Sequence, residues 1–95
     1  MRQIAGMFLD DYHGALADLD RAVAGGVADK LYSVAHSIKG TVGNFGADKA
    51  VAASIALEKC CKSGDLTAVP ALAETIKAAV EELALALRPE VEGVA

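Results

Sequence analysis

Tryptophan is absent from the chain, and tyrosine, phenylalanine and proline occur only twice each. Basic residues are also short. Nine Lys and Arg against thirteen Asp and Glu leave a net charge of −4. Nucleic-acid binding depends on a basic patch that neutralises phosphates, so that class of partner is excluded. No apolar run reaches the roughly 18 residues of a membrane-spanning helix. Nor does a cationic N-terminal stretch lead into an apolar one, as in a secretory leader. The expectation is a cytoplasmic protein with neither a membrane nor a nucleic-acid partner.

Cysteine is confined to the adjacent pair Cys60 and Cys61. Neighbours on a helix point about 100° apart, which suits neither a disulfide framework nor a CxxC redox site. Two reduced thiols fit a cytoplasm.

What the chain has instead is alanine, its commonest residue, within a hydrophobic content of 54%. Ninety-five residues allow one small core, and small helix-favouring side chains predict closely packed helices. Breaks at Gly25-Gly26, Gly43-Asn44-Phe45-Gly46 and Ser63-Gly64-Asp65 divide the chain into four segments. Helices are expected over roughly residues 2–24, 27–43, 47–63 and 66–88, with a frayed tail at 90–95.

The apolar stripes are Ile4, Phe8, Ala15, Leu19 and Val23; then Leu31, Val34, Ala35, Ile38 and Val42, running on into Phe45. The third helix carries Ala50, Val51, Ala53, Ile55, Leu57 and one of the cysteines, and the fourth Val69, Leu72, Ala73, Ile76, Val80, Leu83 and Leu87. Asp65 or Thr67 is expected to cap the fourth helix, Pro70 to lie in its first turn and Pro89 to end it. Short links favour antiparallel neighbours, so the fold expected is an all-α, up-down-up-down four-helix bundle in one domain.

His36 stands apart from these stripes. On a wheel of about 100° per residue with Leu31 at the origin, the apolar residues of the second segment lie within roughly 60° of it. Tyr32, His36, Lys39 and Gly43 all fall outside that arc, and Gly40 falls opposite Leu31. The histidine therefore faces the polar side beside a cation. Glycine inside a helix costs roughly 0.5–1 kcal/mol relative to alanine, so Gly40 on an exposed face points to close approach of another surface. His13, among Asp10, Asp11, Tyr12 and Gly14, has no cation nearby and reads as an ordinary surface residue. The cysteines and histidines show no metal-ligand spacing.

The run Ala35-His36-Ser37-Ile38-Lys39-Gly40, followed by Val42, Gly43, Asn44, Phe45, Gly46 and Ala47, resembles the signature of histidine-containing phosphotransfer (HPt) domains. Leu57-Glu58 and Ser63-Gly64-Asp65 are similar to its continuation. The resemblance implies a phosphorelay carrier in a two-component system, monomeric and cytoplasmic. His36 would be the phosphoacceptor, Lys39 the cation beside the phosphoryl group, and Gly40 the clearance for a receiver domain. Tyr32 and Gly43 would lie at the binding face. Glu58 matches a polar position near the histidine and is a candidate site residue, with a solvated helix surface as its expected setting.

The partners implied are response-regulator receiver domains and a sensor or hybrid histidine kinase. The chain has no GxxxxGK[ST] loop and no carboxylate cluster by His36 of the kind that holds Mg²⁺. It is therefore expected to be no enzyme, to need no cofactor of its own, and to rely on the receiver for Mg²⁺. The alternative is a helical adaptor that binds a partner through the His36 face without chemistry.

Overall fold

The computed structural model describes the backbone of residues 2–92 and the side-chain surroundings of residues 6–88. The described residues form four helices: α1 Arg2–Gly25, α2 Ala28–Gly43, α3 Asp48–Ser63 and α4 Val69–Glu92. No strand occurs among them. The helices pack in a closed ring, α1 on α2, α2 on α3, α3 on α4 and α4 on α1. This is the expected four-helix bundle.

Glycine makes the breaks where a left-handed backbone is required. Gly26, Gly46 and Gly64 have φ of 66°, 66° and 80°, a region nearly closed to residues with a Cβ. Gly64 closes α3 by donating its N–H to the Cys60 carbonyl at 3.0 Å, an αL cap.

The fourth helix departs from expectation at both ends. It starts at Val69 rather than 66, because Asp65 Oδ1 accepts hydrogen bonds from the Thr67 backbone N–H (3.1 Å) and hydroxyl (2.6 Å). That Asx-type turn holds residues 65–67 off the helix, so Asp65 caps the turn and neither it nor Thr67 caps α4. Pro70 still falls in the first turn. At the far end α4 runs through Pro89 to Glu92, and only residues 93–95 of the expected tail lie outside the described residues. The missing N–H of Pro89 orphans the Leu85 carbonyl, and Leu85 is on the solvent side, 64% exposed. Water there can take the bond that proline removes.

The interior joins Leu19, Leu31, Leu57, Ile76 and Val42, all nearly fully buried. On α1 the buried stripe is Phe8, Tyr12, Leu16, Leu19 and Ala22, while Ala15 and Val23 are half-buried. Tyr12 joins it by stacking on Phe8 with centroids 5.5 Å apart; Ile4 lies outside the described side chains. On α3 the expected core residue Ile55 is exposed, and Ser54 is buried in its place. Its hydroxyl meets its own need by donating to the Ala50 carbonyl at 2.8 Å, which makes burial tolerable. Lys77 bridges α4 to Asp20 of α1 at 3.1 Å.

Candidate functional site

Leu31, Ala35, Ile38 and Val42 turn one face of α2 inward, and this places His36 on the outside, its side chain 65% exposed. The opposite wall of the seam is α3. There Ala50, Ala53, Leu57 and Cys61 face inward with Ser54 and Glu58. Small residues beside Glu58 let α3 approach α2 closely, so a carboxylate on α3 reaches across to α2.

Glu58 Oε2 lies 3.0 Å from His36 Nδ1, and Glu58 Oε1 accepts from Lys39 Nζ at 2.9 Å. The Glu58 side chain is only 9% exposed. Its expected setting on a solvated surface is thus corrected: it is a buried bridge between the two residues singled out on α2. The cause lies across the seam, where two cationic or polar donors offset the cost of removing a carboxylate from water. The sequence held part of the signal, since Glu58 lies about 60° from Cys61 on the wheel of α3, at the edge of its apolar stripe.

The bridge fixes the chemistry of the imidazole. The hydrogen bond from Lys39 holds the Glu58 carboxyl below its ordinary range; burial opposes this, and the hydrogen bond to His36 adds to it. An ionised carboxylate can only accept, so Nδ1 carries the proton and donates it. That leaves Nε2 as the ring nitrogen with the free lone pair. Nε2 has no protein partner among the described residues. Lys39 is 31% exposed, and its ammonium has two further donors besides the one given to Glu58.

A stability prediction follows from the lowered carboxyl. Such a group stabilises the fold above its unfolded pKa, 4.5 for Glu58, and that contribution is lost as pH falls through the folded value. Glu58→Gln is expected to lower stability by about 1 kcal/mol at pH 7, and the gap should narrow as pH falls below 4.5 and the carboxyl takes up its proton. Urea unfolding of both proteins across this range checks it. A gap that stayed constant with pH would mean the carboxylate charge is not what the bridge uses.

The remaining candidates gather on the same face. Gly40 and Gly43 are exposed, and a Cβ built on either would meet nothing within 4 Å. The fold itself gives no reason for glycine at Gly40. Tyr32 is half-buried, with its ring parallel to that of His36. Sequence reasoning missed Lys62, whose ammonium stands 5.6 Å from the centre of the Tyr32 ring. His13 is exposed on α1, as expected. Cys60 and Cys61 are free thiols, and burial, the largest cause, pushes the Cys61 thiol up.

A family model described as Hpt domain matches residues 3–86 of the chain, from the start of α1 to near the end of α4. The chain belongs to the Hpt domain family. An Hpt domain is a phosphotransfer carrier of two-component systems, and it works with their receiver and kinase proteins. No curated protein and no solved structure gave a match. Within this Hpt domain all the candidate side chains lie on the α2–α3 hairpin, with α1 and α4 as its support. No helix among the described residues is long and apolar enough to cross a membrane.

Proposed function

We propose that Nε2 of His36 accepts a phosphoryl group from the aspartyl phosphate of a receiver domain and passes it on to the aspartate of another. The observation that carries this reading is an exposed imidazole whose Nδ1 is held by a buried carboxylate. A neutral imidazole is a good nucleophile near pH 7. Nε2 attacks phosphorus, a P–N bond forms, and the P–O bond to the aspartate breaks with its electron pair left on the carboxylate. The Nδ1 proton stays where it is, shared with Glu58. As the ring gains positive charge, the Glu58 carboxylate opposite stabilises it.

Glu58 faces the Nδ1 edge, away from the transferring group, and its charge is already offset by Lys39. One of the free donors of Lys39 stabilises the phosphoryl oxygens during transfer. Open space at Gly40 and Gly43 admits the receiver, and Tyr32 lies at the rim of the contact. The domain acts as a monomer, takes its phosphate from a receiver or kinase pathway, and needs no cofactor of its own. Mg²⁺ belongs to the receiver, whose acidic pocket suits the stretch 29–49, where Lys30, Lys39 and Lys49 outnumber Asp29 and Asp48.

The test is to mix the purified domain with a phosphorylated receiver. The expected product is domain carrying phosphate that is labile in acid and stable in base. A helical adaptor would bind the receiver and take no label.

A further inference from the structure

His36 is mostly exposed, yet two neighbours touch its ring from different directions. Glu58 fixes one edge through Nδ1 at 3.0 Å. A single edge contact leaves the ring able to swing about it, and exposed side chains change rotamer within picoseconds to nanoseconds. The second neighbour is Tyr32, one turn earlier on α2. Its ring is nearly parallel to the imidazole, 9° between planes, with centroids 6.1 Å apart. That is the offset arrangement in which aromatic faces attract.

Tyr32 is itself held. It packs against the core, and Lys62 on α3 places its ammonium 5.6 Å from the ring centre, within cation–π reach. The contact of Lys62 with Tyr32 thus crosses the α2–α3 seam one turn from His36 on α2 and one turn from Glu58 on α3.

We propose that Tyr32, braced by Lys62, is a positioning residue that sets the plane of the His36 ring and so aims Nε2 at the incoming phosphorus. The proposal rests on His36 being the phosphoacceptor. Tyr32 touches neither the phosphorus nor the leaving group; it acts through the imidazole. In-line attack needs the nitrogen lone pair aligned, and small misplacements of a reacting group slow reactions steeply. The aromatic face supplies the alignment, so the phenol hydroxyl is dispensable.

The test uses Tyr32→Leu, which keeps apolar packing, alongside Tyr32→Phe, which keeps the ring, and Lys62→Gln, which removes the brace. Two donors are compared: a phosphorylated receiver, and phosphoramidate, which needs no docking surface. With phosphoramidate, Nε2 attacks phosphorus, the P–N bond of the donor breaks, and ammonia leaves with the electron pair. Side-chain NMR of His36 reports the mobility of its ring.

The expected result is a maximal rate about 5- to 10-fold lower for Tyr32→Leu with both donors. Tyr32→Phe should stay within about twofold of wild type and Lys62→Gln fall between, while the His36 ring is more mobile in Tyr32→Leu. An unchanged phosphoramidate rate in Tyr32→Leu, with only a higher receiver concentration needed, would make Tyr32 a docking contact alone and overturn the proposal. So would a Tyr32→Phe protein as slow as Tyr32→Leu. Wild-type protein that takes no label from either donor would instead refute His36 as acceptor. The NMR arm would still decide on the brace, which fails if the ring is equally mobile with and without Tyr32.

Discussion

Replacing His36 with glutamine is expected to abolish transfer of acid-labile phosphate to the domain while leaving the bundle folded. The side chain is 65% exposed, so the change removes little packing. Surface substitutions of this kind stay within about 0.5 kcal/mol. Glutamine can still donate a hydrogen bond to Glu58, but its amide has no nucleophilic lone pair to replace Nε2. Label should therefore fall to background with the melting temperature almost unchanged. His13, the other imidazole, supplies the control: His13→Gln should label like wild type. A His36→Gln protein labelled to the wild-type extent would refute the proposed acceptor, and loss of label in His13→Gln would name its replacement.

The next largest effect is expected at Gly40, where function and stability should move in opposite directions. Nothing lies within 4 Å of a Cβ built there, and the position is inside α2. Leucine in place of glycine should therefore raise stability by about 0.5–1 kcal/mol, the ordinary gain in a helix interior. The same side chain would stand in the space a receiver must enter. Holding the reacting atoms about 1 Å further apart can slow transfer on the order of 10²-fold. With phosphoramidate, which is small, the loss should be much less. Denaturant melts and the two transfer assays check the set. A Gly40→Leu protein that unfolds readily would make the glycine structural. One that transfers at the wild-type rate from a receiver would remove it from the interface.

The bundle was legible because its punctuation is local. Gly26, Gly46 and Gly64 sit at backbone conformations that favour glycine, and each marks a boundary that the residue type alone announces. The stripes on α2 were readable for the same reason, as Leu31, Ala35, Ile38 and Val42 repeat with the helix. Pro89 misled because the cost of a proline inside a helix falls where water can reach the carbonyl it orphans, and exposure of Leu85 is a property of the fold. Ile55 and Ser54 exchanged roles because a hydroxyl that bonds its own helix backbone loses most of its polarity.

In the site, His36, Lys39 and Gly40 were legible together because they sit within little more than one turn of a single helix. Glu58 was assigned the wrong surroundings since its partners are 22 and 19 residues away along the chain. Long polar side chains usually mark a wetted face. Only the crossing of α3 over α2 brings the carboxylate under the imidazole. Lys62 was missed on the same grounds, because its contact with Tyr32 lies across the seam.

An imidazole that stands mostly in water, halfway along a helix, needs no door. On the proposed reading, a phosphoryl group reaches that ring directly from solvent, so each exchange waits on the arrival of a suitable receiver and on the aim of the nitrogen. Between collisions, the lifetime of the loaded form is a property of the phosphorus–nitrogen bond in water. The domain would then keep time by bond chemistry and traffic, and a cell could retune the interval simply by changing how many receivers it makes.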